Sequence, residues 1–201
     1  MNERIIKIAH VVAIGLCLLA AIVVAKAQPG QNSNQSGGAG AQGAALNSAD
    51  RRFVMEAALG GMTEVELGRL ATERGASDAV KQFGQRMVDD HSRANDELMQ
   101  LVSGKGVQLP TALDAKHQAM VTKMSSLSGA AFDRAYAKQM VKDHDKTIAL
   151  FQGEASRGAD ADLKAFAQKT LPTLQEHLSM ARALPSGGGS THANMGQSRQ
   201  R

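Results

Sequence analysis

The fold is decided by the stretch from Val80 to Leu101, which reads VKQFGQRMVDDHSRANDELMQL. Apolar, small or histidine residues recur along it at alternating steps of three and four, namely at Val80, Gly84, Met87, His91, Ala94, Leu98 and Leu101. That spacing places all seven on one face of an α-helix. The stretch therefore predicts an amphipathic helix with a histidine on the face that packs against its neighbours.

The same pattern covers most of the chain and predicts an all-α domain. Signals for strands are scarce, because β-branched runs and aromatic residues are few and no Asn-Gly or Asp-Gly hairpin turn is present. Gly75 and Gly158 are expected to end two long helices, while Ser77 and Asp160 can cap the helices that follow them. We expect four long helices and a short one, near residues 48–74, 77–103, 111–127, 130–157 and 160–184.

The short helix suggests the topology of the bundle. Capped by Thr111, it would have about 16 residues and span about 24 Å, which is enough to carry the chain back along the bundle. The second and third long helices would then run parallel. The sequence therefore predicts an all-α, ferritin-like up-down four-helix bundle, with a short crossover helix between the second and third long helices.

Two internal repeats are present, and their offsets disagree. The pentapeptide Met87-Val88-Asp89-Asp90-His91 nearly recurs as Met140-Val141-Lys142-Asp143-His144, 53 positions later. The turn Arg74-Gly75-Ala76 recurs as Arg157-Gly158-Ala159, 83 positions later. One duplication cannot produce both offsets, so the sequence alone assigns no ancestry to either repeat.

The N-terminus has the three parts of a secretory signal peptide. Arg4 and Lys7 precede an apolar run over residues 11–24, and Ala25-Lys26-Ala27 provides a cleavage site. The run of about 14 residues is short for a membrane span of about 20. We therefore expect residues 1–27 to be removed and the protein to be exported to the periplasm or cell envelope, with no transmembrane span after cleavage. An uncleaved N-terminal anchor is the alternative.

Cleavage changes the composition of the working protein. Cys17 leaves with the signal peptide, which excludes disulfide and thiol chemistry from the mature chain. The formal net charge falls from +4 to about +2, because Arg4, Lys7, Lys26 and Glu3 are lost. Basic and acidic residues alternate along every helix, which argues against a nucleic-acid partner. Residues 28–47 resemble a flexible polar linker, 48–184 form the folded domain, and 185–201 form a polar tail.

The domain also resembles a known family between about residues 49 and 184. The resemblance depends on short motifs at Thr63–Gly68, Met87–His91, Gly129–Asp133, His144, Leu171-Pro172 and His177-Leu178. The family is an exported bacterial one of unknown function, is often labelled "predicted outer membrane" or "putative membrane" protein, and is grouped with ferritin-like folds. The resemblance implies an exported helical bundle and implies no activity.

Three histidines and a glutamate are candidate metal ligands. His91, His144 and His177 lie on apolar helix faces, and Glu66 could add a carboxylate from the first helix. Imidazole nitrogen and carboxylate oxygen suit zinc, copper, iron or manganese. Counting along the helices puts His91 and His144 in one layer, with Glu66 and His177 about 9 Å away along the bundle axis.

The residues around the histidines argue against a di-iron centre. Di-iron bundles use Glu-x-x-His motifs, whereas Val88 and Leu174 stand three positions before His91 and His177. A mononuclear site is therefore the stronger metal hypothesis. His117, on the crossover helix outside the four-helix core, is interpreted as a structural histidine, and the methionines are interpreted as core filler. The remaining acids near these motifs are expected at the solvent or bundle edge or pointing away from the histidines, namely Glu56, Glu64, Glu73, Asp90 and Asp143.

The alternative hypothesis is a metal-free envelope protein. In it, the histidines are neutral core residues with hydrogen-bonded neighbours, and the outer helix faces or polar tails bind an envelope protein partner. No phosphate-binding loop, nucleophile elbow or Ser/His/Asp order indicates an enzyme. The two hypotheses differ in one measurable property, which is the metal content of the purified protein.

Overall fold

The computed structural model describes residues 45–185, and within that range it contains five α-helices and no strand. The all-α class is confirmed. The predicted signal peptide, most of the linker and all of the tail beyond Pro185 lie outside the described residues. No helix within the described range carries an apolar stretch of the length that a bilayer requires. The helices are α1 (Ser48–Arg74), α2 (Asp78–Val102), α3 (Ala115–Ser125), α4 (Gly129–Arg157) and α5 (Ala161–Ala183).

The folded domain begins slightly before the predicted boundary. Leu46 is buried in the core, although the sequence placed it in the linker. The side chain of Asn47 caps α1 by accepting hydrogen bonds from the backbone N–H groups of Ala49 and Asp50, both at 2.8 Å. The linker boundary predicted at Asn47 is therefore wrong by about two residues, because the cap and the apolar residue before it belong to the domain.

The predicted caps of α2 and α5 are confirmed. The hydroxyl of Ser77 accepts a hydrogen bond from the Val80 N–H at 3.3 Å. The carboxylate of Asp160 accepts from the N–H groups of Asp162 and Leu163 at 3.1 and 3.0 Å. Each cap lies within three residues of the preceding helix, so both turns are tight and each joins two antiparallel helices.

Helix α3 is shorter than expected. It has 11 residues and its N-cap is Asp114, whose carboxylate accepts from the His117 N–H at 2.9 Å. The expected cap at Thr111 is wrong, because an aspartate at least as favourable for capping follows three positions later. The chain before α3 is a loop over residues 103–114.

The long helices form two hairpins that pack against each other. Helix α1 pairs with α2 and α4 pairs with α5, while α1 also contacts α4 and α2 contacts α5. Helix α3 packs on α1 and α4. Asp133, in the first turn of α4, accepts hydrogen bonds from Ala76 and Ser77 in the α1–α2 turn. Helices α2 and α4 therefore begin at the same end and run parallel, as the topology predicts.

Glycines let α1 and α2 approach closely. A Cβ atom on Gly68 would lie 2.7 Å from the carbonyl oxygen of Gly84, and one on Gly84 would lie 2.8 Å from that of Gly68. Any side chain at either position would force the helices apart. The face of α1 that meets α2 is thus marked by small residues as much as by apolar ones.

The core consists of two apolar clusters stacked along the bundle. One contains Phe53, Leu98, Phe151 and Leu174, and the other contains Leu67, Met87, Met140 and Ala181, among others. Each of the four long helices contributes residues to both clusters. Along each of these helices, several residues lie between those of one cluster and those of the other. These intervening residues form a layer between the clusters.

Candidate metal centre

Three histidines from three helices meet in the layer between the clusters. His91 on α2, His144 on α4 and His177 on α5 are all buried. Each offers one ring nitrogen such that the three nitrogens lie within 4.8 Å of one another. The ring centroids are 5.4 to 5.8 Å apart. The structure thus brings together all three histidines that the sequence indicated as candidate metal ligands.

The helical repeat explains why each imidazole points inward. His91 follows the buried Met87 by four positions and precedes the buried Leu98 by seven. His144 stands in the same relation to Met140 and Phe151. Positions four and seven apart lie on one helix face, so the same repeat that buries the apolar residues also buries the histidines.

His177 lies in the layer of the other two, which corrects the expected separation of about 9 Å. Helix α5 has 23 residues against 29 in α4, so heights counted from opposite ends of these two helices do not agree. Counted from the turn that joins these helices, His144 lies about 14 residues before Gly158 and His177 about 17 residues after Asp160. The difference of about three residues is about 4.5 Å, which imidazole side chains can span.

Backbone and side-chain acceptors fix two of the imidazoles. Nδ1 of His144 donates a hydrogen bond to the carbonyl oxygen of Met140 at 2.9 Å. Nε2 of His177 donates to Oδ2 of Asp90 at 2.8 Å. The proton is therefore on Nδ1 of His144 and on Nε2 of His177. In each neutral ring the other nitrogen carries a lone pair.

In each of the three rings, one nitrogen has no hydrogen-bond partner among the described residues. These are Nε2 of His91, Nε2 of His144 and Nδ1 of His177, and all three are buried. A metal-bound histidine typically donates its other N–H to a carboxylate or carbonyl, which orients the ring. His144 and His177 have that arrangement.

Burial keeps the histidines neutral. It lowers the pKa of His91 to about 3, with the charges of His144 and His177 acting in the same direction. Burial, followed by the charge of His177, lowers the pKa of His144 to about 4. Burial also lowers the pKa of His177, although its hydrogen bond to Asp90 opposes the shift. Neutral imidazoles are the form that binds metal ions.

Asp90 is part of the site, although it was expected to point away from the histidines. It points away from its neighbour His91 but reaches His177 on α5. Burial alone would raise the pKa of Asp90, but hydrogen bonds from its cationic neighbours and His177 outweigh burial and lower it to about 2. Those cations are Arg86, at 2.7 Å, and Arg93. Asp90 immediately precedes His91 on α2. That position is the sequence signal that could have indicated its role.

Glu66 is not brought to the histidines. Its side chain is 44% exposed and forms an ion pair with Arg69 on the same helix at 2.7 Å. Glu64, expected at the solvent or bundle edge, is instead 5% exposed. Two residues along a helix correspond to a rotation of about 200°, so only one of the two can face the core. The spacing of Ala57, Gly61, Glu64, Leu67 and Ala71 would have identified Glu64 as the inward carboxylate.

Glu64 is a carboxyl group without a hydrogen-bond partner for Oε2 among the described residues. Burial raises its pKa well above the ordinary value, and the nearby charge of Asp143 raises it further. Glu64 also raises the pKa of the Tyr136 hydroxyl, after the larger effect of burial. In the protein without metal, burial therefore favours the protonated, neutral form of Glu64.

His117 lies outside the cluster. It is on α3, where Nδ1 is 2.7 Å from the carboxylate of Asp114, the residue that caps this helix. Its side chain is partly exposed. The interpretation of His117 as a structural residue is consistent with this local contact.

Comparisons with known proteins place the chain in a family. Residues 35–184 match the model of a domain of unknown function, DUF4142. The chain belongs to this family. That result confirms the membership of a helical family of unknown function that the motifs indicated. A comparison with curated proteins gives no match.

One solved structure shares the fold of this DUF4142 protein. A DUF305 fragment from Deinococcus radiodurans superimposes with a TM-score of 0.61, over 69% of this chain and 96% of that chain. The two sequences are 13% identical. At that identity the likeness concerns the fold alone.

The geometry of the DUF4142 chain suits a small metal ion after a modest contraction. Metal–nitrogen bonds to imidazole are about 2.0–2.1 Å long, so three nitrogens in tetrahedral positions on one ion lie about 3.4 Å apart. The nitrogens here lie within 4.8 Å of one another. Closing the difference requires each ring nitrogen to move inward by slightly less than an ångström. Three neutral imidazoles, two of them oriented by hydrogen bonds, thus form a preorganised set of ligands.

Proposed function

We propose that this protein is an exported, ferritin-like four-helix-bundle protein that binds one transition-metal ion through His91, His144 and His177. The observation that carries the proposal is the convergence of three buried histidines from three different helices, each with a buried ring nitrogen that has no partner among the described residues. Helix α3 would be the crossover of the ferritin-like topology. Export depends on the predicted signal peptide over residues 1–27.

The energetics of the unpaired nitrogens support a ligand. A buried polar atom without a partner costs about 1–3 kcal/mol of stability. Three such atoms in one layer would lower the stability of a metal-free core, and apolar residues of similar size would fill the same space without that loss. A buried water would need two to four polar partners in the same space, and a metal ion uses all three nitrogens at once.

The ligands favour particular ions. Among zinc, copper, iron and manganese, manganese prefers oxygen ligands, whereas imidazole suits the other three. Nitrogen ligands generally bind Cu²⁺ and Zn²⁺ more tightly than Fe²⁺, so zinc and copper are favoured. The described residues contain no second cluster of histidine and acidic side chains with metal-binding geometry. One ion per chain is therefore the expected stoichiometry.

The test is the metal content of the purified, untagged protein, followed by titration of the metal-free form with Zn²⁺ and Cu²⁺. We expect about one equivalent of bound metal. Replacement of His91, His144 and His177 by alanine should abolish binding, whereas His117→Ala should bind as the unaltered protein does. Far-UV circular dichroism shows whether each variant is folded. Sub-stoichiometric metal that is the same in the triple variant would contradict the proposal and favour the metal-free envelope protein.

A further inference from the structure

Two cavities meet at Glu64. An enclosed cavity of about 30 Å³ lies between α1, α2, α4 and α5 and is lined by His91 and Glu64. An open cleft of about 400 Å³ lies between α1, α3 and α4, and Glu64 lines it too. Glu56, Gly60 and Thr147 also border both. The cleft and the smaller cavity beside His91 are therefore adjacent.

Glu64 occupies the same layer as the histidines. On α1 it lies between residues of the first apolar cluster, which end at Ala58, and those of the second, which begin at Leu67. His91 and His144 occupy the equivalent gaps on α2 and α4, and His177 does so on α5. Each of the four long helices thus contributes one buried titratable side chain to this layer.

A carboxylate would compensate the charge of a metal ion in this layer. Three neutral imidazoles leave the charge of a dication uncompensated, and an unpaired charge in a protein interior is strongly unfavourable. Asp90 is already held by two arginines and His177. Glu64 has Oε2 buried and without a partner among the described residues. It is not one of the residues whose ligand atoms already lie within 4.8 Å of one another, so its side chain would turn toward the ion on binding.

We infer that the ion reaches the histidines through the cleft between α1, α3 and α4, and that the Glu64 carboxylate completes its coordination. The inference depends on the proposed metal binding. Zinc sites with three imidazoles commonly take an oxygen as fourth ligand, and Oε2 of Glu64 provides it. The outer cleft has charged walls of both signs, formed by Glu56, Asp114, Asp143, Lys116 and Lys146.

The coordination is tested with Glu64→Gln, which keeps the shape and removes the charge. Glu66→Gln is the matched control, since Glu66 lies two residues away on the exposed side of α1. We expect Zn²⁺ to bind at least ten-fold more weakly to Glu64→Gln and unchanged to Glu66→Gln. X-ray absorption at the zinc edge should show three nitrogen ligands and one carboxylate oxygen in the unaltered protein, with the oxygen altered only in Glu64→Gln.

The route is tested with Gly60→Leu. A Cβ atom at Gly60 would meet nothing within 4 Å, so there is room for a side chain to begin there, and we expect a leucine to narrow the junction of the cavities. We expect stopped-flow association and dissociation of Zn²⁺ both to slow at least several-fold, with the equilibrium constant preserved. Glu73→Leu places the same side chain on the exposed surface of α1 and should leave both rates unchanged.

The outcomes separate the two proposals. If the unaltered protein binds no metal, the proposed function fails and this inference fails with it. If metal binds but Glu64→Gln matches the unaltered protein in affinity and in its absorption spectrum, Glu64 is not a ligand. If Gly60→Leu loads at the unaltered rate while folded, as judged by circular dichroism, the cleft is not the route. Either result overturns the inference and leaves the histidine site standing.

Discussion

Asp50 and Asp133 make equivalent hydrogen bonds between the two hairpins, each to the turn of the hairpin that the other belongs to. Asp50, at the start of α1, accepts backbone hydrogen bonds from Ala159 and Asp160 in the α4–α5 turn, at 3.1 and 2.9 Å. Asp133, at the start of α4, accepts from the α1–α2 turn with two bonds of 2.9 Å. Both carboxyl groups are buried. Each hairpin thus supplies the carboxylate that closes the turn of the other.

This reciprocity decides between the two sequence repeats. Asp50 and Asp133 are 83 positions apart, the same offset as the two Arg-Gly-Ala turns. That offset relates α1 and α2 to α4 and α5, so it describes the structural repeat of the molecule. The offset of 53 relates α2 to α4, which are not equivalent parts of the two hairpins. The repeated pentapeptide reflects similar packing of two parallel helices.

We expect Asp50→Asn and Asp133→Asn each to lower the free energy of unfolding by about 1–3 kcal/mol. The amide presents an N–H where a carboxylate oxygen accepted one, so a buried backbone donor is left unpaired. The two sites lie at opposite ends of the bundle, and the double variant should therefore show nearly additive effects. Urea denaturation measures all three.

Asp96→Asn is the control for these variants, because Asp96 is exposed on α2. It should change stability by less than about 0.5 kcal/mol. A loss in Asp96→Asn as large as in Asp133→Asn would show that the general charge balance matters and the clamp does not.

We expect Asp90→Asn to weaken metal binding about 10- to 100-fold, as loss of a carboxylate behind a metal-bound histidine usually does. The carboxylate fixes the proton on Nε2 of His177 and so leaves Nδ1 free for the ion. Isothermal titration with Zn²⁺ measures the change. Asp89→Asn, at the exposed neighbouring position, should bind as the unaltered protein does, and equal losses in both variants would contradict the role of Asp90.

We expect His144→Leu to separate stability from binding. Without metal, the leucine replaces a buried nitrogen that lacks a partner, so the melting temperature should stay the same or rise. With Zn²⁺ at about 100 times Kd, the unaltered protein should gain about 2.7 kcal/mol, and His144→Leu should gain little. Thermal unfolding with and without Zn²⁺ measures both, and His117→Leu should retain the full gain. A large loss of metal-free stability in His144→Leu would instead favour a structural histidine.

We expect Glu154 to make the protein less stable as the pH rises. Burial, followed by the charges of Asp50 and Asp160, raises the pKa of Glu154 to about 7 from its ordinary 4.5. The folded state then binds more protons than the unfolded state between these values, so this group's contribution to stability falls from about pH 4.5 to 7 and is constant above.

Glu154→Gln removes that titration. The stability of the variant relative to the unaltered protein should therefore be greater at pH 8 than at pH 5, by urea denaturation at both values. Glu73→Gln, on the exposed surface of α1, should show the same small difference at each pH. A Glu154→Gln difference that does not depend on pH would mean that this carboxyl group titrates normally.

We also expect the mature protein to begin at Gln28. The mass of the protein recovered from the producing cell should correspond to loss of residues 1–27. Replacing Ala25 and Ala27 with glutamine should leave the precursor uncut, since the peptidase requires small residues there. A full-length mass for the unaltered protein would favour the uncleaved anchor.

The sequence predicts the long helices well because their ends carry strong local signals. Each turn carries a glycine that ends one helix and a residue that caps the next, namely Gly75 with Ser77 and Gly158 with Asp160. The observed helix boundaries agree with these signals. The start of α3 is less certain from sequence, because Thr111 and Asp114 are both good caps. The capping preferences of these two residues differ too little for the sequence to choose between them.

The site is partly predictable for a related reason. The three histidines lie at the same spacing as strongly apolar neighbours, which fixes their direction. On α1 the inward face carries Gly61 and Gly68, and glycines give no hydrophobic signal. Hydrophobic spacing alone therefore does not distinguish Glu64 from Glu66 as the carboxylate that faces the core.

The repeat of 83 positions has a consequence for the histidines themselves. Their counterparts in the other hairpin are Gly61 for His144, Leu174 for His91 and Ala94 for His177. The two halves of the molecule are thus alike in scaffold and unlike in chemistry: one ion would join His91 and the proposed ligand Glu64 from the first half to His144 and His177 from the second. Neither half alone contains all the proposed ligands, so a cell that made only one hairpin would have no metal-binding site.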